Sequence, residues 1–351
     1  MAKRDAPPAD VDPVTAHLDR GWDLLKDNDL GGAEISAKKA RQLDPDSPEP
    51  ATLLGAVAAA GGDLEAALDA YRQALEVDPE YVPALLYAAE AHLEPDTDEE
   101  DAEEALRLCD QALEGAEEED DVVDAILLKA EALVRIGDRD EEARATLAEL
   151  PPVALPEGSY HLRAATTYLD LSMVDEAEDQ FRRALELDPD DADAWHGLGL
   201  CAEERDDAKG MVKAWLKVRE LDLEEPPPAW ALSQDEFEAI AEAALAELPE
   251  RIRAHLENVP ILAADYPAVE IVAEGADPRM MGFFSGVPYP EKSNIAGAVP
   301  HLDCVFLYKR SIERASRTRE EVTREVRTTL LHETGHFFGL SEEELEEMGL
   351  G

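Results

Sequence analysis

The feature that most limits how this chain can fold is that much of it repeats itself every 34 residues. Gly21, Ala33, Ala40 and Pro45 each find the same residue type 34 positions on, at Gly55, Ala67, Ala74 and Pro79. Ala177, Phe181, Ala184 and Pro189 hold the matching places of a later unit, and LDP at 43–45, VDP at 77–79, LDP at 187–189 and LDL at 221–223 mark successive unit ends. A fixed period of this length means a stack of supersecondary units, each burying its apolar face only against its neighbours. Small side chains such as Gly55, Ala67 and Ala74 let two antiparallel helices approach closely, and the Asp-Pro pair ends one helix and turns the chain.

Ala105 and Ala112 follow Ala67 and Ala74 by 38 residues, which places a four-residue insertion in the acidic stretch 94–101. A weaker unit covers 123–152, where ILLKAEALVRIGD reads as an amphipathic helix ending near Gly137. Trp195, Leu198 and Gly199 then form a W-x-x-L-G opening of one more unit. With these residues the array resembles the tetratricopeptide repeat family. The resemblance implies an all-α solenoid of six repeats over 14–223, two of them degenerate, used to hold a peptide or another protein.

Charge narrows the choice of partner. The chain carries 82 acidic and 32 basic residues, a net of −50, which excludes a nucleic-acid reader working through a broad basic face. Up to residue 231 there are 21 basic and 59 acidic residues, a net of −38, so the array is expected to prefer basic or neutral partners. A hydrophobic content of 45% is still enough for packed cores. Lys3 and Arg4 are followed by no apolar run, and no stretch approaches the roughly 18 apolar residues of a membrane span. Cys109, Cys201 and Cys304 are too few and too scattered for a disulfide framework. These features lead us to expect a cytoplasmic protein with no membrane partner.

At 224–229 the sequence EEPPPA interrupts the helical grid, because three successive prolines cannot continue a helix. The expected organisation is a disordered tail at 1–13, the array at 14–223, a proline-rich linker at 224–231 and a smaller domain at 232–351. In that last domain a helix is expected from Gln234 to about Leu256, opened by Ser233 with Glu236 as a capping box. Strands are expected at Val259–Ala264, Val269–Ala273, Met281–Phe284 and Cys304–Lys309. A final helix is expected from near Thr318 to about Phe338. The fold class expected for the whole is therefore an all-α solenoid followed by a small α+β domain.

The final helix carries the chemistry. His332, Glu333 and His336 form H-E-x-x-H, and residues four apart on a helix lie one above the other, so both imidazoles can bind one Zn²⁺. Glu333 sits beside that face, where its carboxylate can take a proton from a metal-bound water and return it to a leaving amine. Val322, Val326, Leu330 and Phe337 form a stripe that would bury one side of the helix. Gly339 can adopt the left-handed conformation that ends a helix sharply and returns the chain toward the metal, bringing Glu342 within reach as a third ligand. The other histidines have no partner at ligand spacing.

With MGFFSGVPYP at 281–290, CVFLYKRSI at 304–312 and HETGHFFGLSEEELEEMG at 332–349, the stretch from Phe237 to Leu350 resembles a small bacterial zincin-like family of metallopeptidases. Its motif reads H-E-x-x-H-x-x-G-x-x-D. The resemblance implies that His332 and His336 are zinc ligands, that Glu333 is the base and that Glu342 stands in the place of the family's aspartate. Glu for Asp lengthens the arm by one methylene, and Glu343 or a water could substitute. In zincins the strand before the active helix runs along the cleft edge, and Phe306–Lys309 is the candidate for pairing with an extended substrate. Two functions follow as expectations: a zinc peptidase whose repeats recruit a protein partner or substrate, or a non-catalytic interaction scaffold with a structural or vestigial zinc site.

Overall fold

A computed structural model describes residues 12–94, 97–150, 158–248, 250–256, 259–286 and 304–341. Most of the tail expected at 1–13 thus lies outside the described residues. The chain resolves into two compact units, Met1–Pro189 and Asp190–Gly351.

The first unit is all helical: α1 (Pro13–Lys26), α2 (Leu30–Leu43), α3 (Glu49–Ala60), α4 (Leu64–Val77), α5 (Val82–Ala91), α6 (Glu99–Gly115), α7 (Glu119–Ile136), α8 (Asp140–Leu147), α9 (Gly158–Asp170) and α10 (Val174–Leu187). Each odd-numbered helix packs along the next even-numbered one. The repeated alanines explain the close approach, since Ala33, Ala67, Ala177, Ala40, Ala74, Ala112 and Ala184 are all fully buried. Gly55 is fixed by a ring: a Cβ there would collide with Tyr71. The Asp-Pro ends behave as steric rules require, with Asp44, Asp78 and Asp188 all extended ahead of a proline, at φ −136°, −137° and −133°.

A second periodicity lies in the turns inside several of the pairs. Asn28 and Gly62 take positive φ of 58° and 78°, and so do Ser172 and Asp206 in later pairs, at 58° and 56°. The residue that follows opens the second helix. Asp29, Asp63 and Asp207 each accept a hydrogen bond from the backbone N–H three residues on, at 2.9, 3.0 and 3.1 Å.

The second unit opens with one more pair, α11 (Ala192–Glu204) and α12 (Ala208–Glu224), in which Gly199 makes room for Trp215 just as Gly55 does for Tyr71. There follow α13 (Gln234–Glu247), α14 (Glu250–Leu256), β1 (Ile261–Ala264), α15 (Val269–Ala273), β2 (Gly282–Ser285), β3 (Cys304–Tyr308), α16 (Lys309–Arg314) and α17 (Arg319–Phe337). The sheet order is β1-β3-β2, with β1 parallel and β2 antiparallel to β3. Val305 and Leu307, with Ile261, Ala263 and Phe284, face Phe237 and Ala241 of α13 and Val322, Val326, Leu330 and Phe337 of α17. That layer of sheet on helices is the core on which the candidate site sits.

Three expectations need correction. Val269–Ala273 is a helical turn instead of a strand, because a five-residue apolar run has no decisive period and Ala268, just after Pro267, supplies the extended residue that opens a helix. The single helix expected from Gln234 to Leu256 is two, α13 and α14, with Pro249 in the sequence between them. Lys309 belongs to α16, so β3 ends at Tyr308.

Candidate metal centre

Helix α17 is held at both ends and along one side. The Thr318 hydroxyl accepts from the Glu321 N–H at 3.1 Å, while the Glu321 carboxylate accepts from the Arg317 N–H at 2.6 Å. Val322, Val326, Leu330 and Phe337 are at most 1% exposed, as the stripe in the sequence requires. At the far end Gly339 takes φ +82°, its N–H donates to the His336 carbonyl at 2.9 Å, and the Leu340 N–H donates to the Gly335 carbonyl at 3.1 Å. This is the Schellman closure, and it needs a residue without a Cβ at its left-handed position.

The two imidazoles converge. Their ring centroids are 4.6 Å apart at an interplanar angle of 78°, and His332 Nε2 lies 2.9 Å from His336 Nε2. His336 Nδ1 donates to the Leu340 carbonyl at 3.3 Å, which leaves Nε2 with its lone pair aimed at the other ring. The closure at Gly339 therefore also sets the tautomer, because it brings Leu340 back over the ring. Two imidazole nitrogens in a tetrahedral sphere, each at about 2.0–2.1 Å from zinc, stand about 3.3 Å apart, so the donor pair suits a divalent cation.

Glu333 is 7% exposed and lies under β2. A Cβ on Gly282 would come to 2.8 Å from Glu333 Cγ, 2.9 Å from its Oε1 and 2.6 Å from Thr329 Cγ2, so only glycine lets the strand pass this close. The buried carboxylate is felt nearby: burial pushes the Tyr308 phenol up to about 12, with Cys304 and Glu333 adding to the rise. The Tyr308 hydroxyl has no hydrogen-bond partner among the described residues, and the ring is 1% exposed, as a packed aromatic would be.

Of the residues singled out in the sequence, the structure brings His332 and His336 together, with Glu333 buried on the same helix. Glu342 lies outside the described residues, and among the described residues no cluster of three metal-binding side chains is present. The expectation that Phe306–Lys309 runs along the cleft edge is corrected: β3 is paired on both sides, by β1 and β2, and the strand that crosses Glu333 is β2, at the edge of the sheet among the described residues. Gly282 was missed because its role depends on a contact with a residue 51 positions away, and nothing local in MGFFSG signals it.

Residues 256–351 match the model of a family described as zincin-like metallopeptidase, and residues 51–81 and 162–217 match two tetratricopeptide repeat models. The chain thus carries segments that match tetratricopeptide repeats and a C-terminal region that matches the zincin-like metallopeptidase family. A search of curated proteins found no match. Among solved structures, PilW, a widely conserved type IV pilus biogenesis factor, is 14% identical with a TM-score of 0.52, over 60% of this chain and 94% of its own. PilF of Pseudomonas aeruginosa is 16% identical with a TM-score of 0.49 over 65% and 97%, and TTC0263 of Thermus thermophilus 21% identical with a TM-score of 0.44 over 55% and 98%. The likeness to PilW shows the repeat fold alone. No helix among the described residues is long and apolar enough to cross a membrane.

Proposed function

We propose that the C-terminal region is a zinc-dependent peptide hydrolase and that the repeat array recruits its protein partner or substrate. The observation that carries this reading is the convergence of His332 and His336 to 2.9 Å on a braced helix, next to a buried glutamate. His332, His336 and Glu342 are the ligands this reading assigns. When bound, Zn²⁺ supplies Lewis acidity to the scissile carbonyl and to a water. Glu333 accepts the proton of that water and returns it to the leaving amine; its burial under β2 keeps the carboxylate aimed and screened from bulk solvent. The outer side of β2, unpaired among the described residues, offers main-chain groups to an extended substrate, which gives affinity with little sequence preference.

The array adds recruitment. A cavity of about 430 Å³ between α5, α7 and α9 is lined by Tyr87, Tyr160, Glu90, Asp121, Asp124 and Arg163. Three carboxylates against one guanidinium suit a basic or neutral segment of a partner, in keeping with the charge of the array. A recruited chain gains effective concentration at the hydrolytic site through the covalent link between the regions.

The test uses the full chain and an unstructured peptide library. Glu333→Gln keeps zinc bound and loses hydrolysis; full activity in that variant assigns the base elsewhere. A wild type that binds zinc but cleaves nothing in the library supports the scaffold with a structural metal.

A further inference from the structure

Asp222, on the last helix of the repeat grid, has a carboxylate that is wholly buried and carries an ion pair. Arg279 Nε donates to its Oδ2 at 2.9 Å and Arg279 Nη2 to its Oδ1 at 3.0 Å, the two-pronged geometry that fixes a guanidinium in direction as well as position. The third arm of the fork, Arg279 Nη1, donates to Asp193 Oδ1 on α11 at 2.6 Å, and Arg314 of α16 reaches the same oxygen at 2.5 Å. The backbone around Arg279 is tied down as well. The Asp277 carboxylate accepts from the Arg279 N–H at 2.7 Å and from His196 Nε2 on α11 at 3.0 Å. Arg219 of α12 donates to the Pro267 carbonyl at 2.6 Å, and the Tyr266 hydroxyl to the Asp222 carbonyl at 2.9 Å.

Arg279 stands three residues before Gly282, the residue that lies against Glu333. Between them, the Met281 carbonyl accepts from the Tyr308 N–H at 2.8 Å and sets the register of β2 on β3. We propose that Asp222 and Arg279 are positioning residues for Glu333: the pair α11–α12 clamps the start of β2, and β2 at Gly282 fixes the carboxylate. The last repeat pair is on this account a working part of the hydrolytic region and not only the end of the array. A buried bidentate pair suits this task because its two arms cannot slide independently, whereas an apolar contact would let the strand shift. The final link rests on the reading of Glu333 as the base; the clamp itself does not.

The test measures amide hydrogen exchange over 281–285 in the full chain. Arg279→Lys, which keeps the charge and loses the fork, and Asp222→Asn, which keeps the shape and loses the charge, are each expected to speed exchange there about tenfold or more. Segments in α13 and β1 are expected to stay as protected as in the wild type. Lys217→Ala, which breaks surface pairs of α12 with Asp190 and Glu220, is the control and should change nothing at β2. Unchanged exchange at 281–285 in both variants would overturn the proposal, and so would equal loosening of α13 and β1, which makes the network a general brace. Gly282→Ala, whose methyl presses on Glu333 and Thr329, is expected to lower hydrolysis more than tenfold with the zinc content unchanged. A Gly282→Ala variant as active as the wild type would overturn the final link. A wild type without hydrolysis refutes the peptidase reading, and the exchange result still decides the clamp.

Discussion

The repeat helices and the α+β region use glycine in the same way for different ends. Gly55 and Gly199 admit an aromatic ring from the neighbouring helix, and the arrangement recurs at the same place in the period. Gly282 admits the carboxylate of a different element, Glu333 of α17, whereas Gly32 and Gly210 face the aspartate that caps their own helix. In a repeat, a contact that fails leaves its counterparts intact in the other units. In the α+β region each contact at the site is unique, so one change there removes a function.

The largest expected effects are therefore at the unique contacts. Glu333→Gln should lower hydrolysis by about 10²–10⁴-fold without changing the fold, measured as turnover against circular dichroism. Next comes Asp222→Ala, which strands the Arg279 fork without its buried counter-charge and should cost about 3–5 kcal/mol in urea unfolding. If it costs no more than a surface pair, the network does not brace the unit.

Changes in the repeats should be smaller and should depend on what the glycine faces. Gly55→Ala forces a methyl into Tyr71 and is expected to cost about 1–3 kcal/mol. Gly31, in α2 with nothing within 4 Å, should accept alanine with a gain of about 0.5–1 kcal/mol. Equal effects at the two positions would contradict the account of the period.

The smallest effect is a pH dependence. Burial raises the Asp277 carboxyl, but the hydrogen bond from His196 and the nearby Arg279 outweigh it and hold the group below its ordinary 3.8. A depressed carboxylate stabilises the fold above its unfolded value and loses that contribution as the pH falls through the folded one. Asp277→Asn should thus be less stable than the wild type at neutral pH, with the gap closing only below about pH 4.

The sequence announced the repeats because each position is written several times, and the two histidines because their relation is purely local to one helix. It announced Gly339 for the same reason. The turns at Asn28, Gly62, Ser172 and Asp206 were equally periodic, yet their residue types differ and only the backbone shows the common left-handed step. What escaped was non-local. The middle position of β3 depends on pairing with β2 and β1, and the roles of Gly282 and of the Asp222–Arg279 pair depend on contacts across 51 and 57 residues. The misread Val269–Ala273 shows the limit of short apolar runs, where helix and strand leave the same trace.

The most direct measurement is the zinc content of the purified full chain after equilibration with the ion and removal of the excess. The account predicts about one zinc per chain in the wild type and in Glu333→Gln, and none held in His332→Ala or His336→Ala. A wild type that retains no zinc, or histidine variants that retain as much as it does, would contradict it.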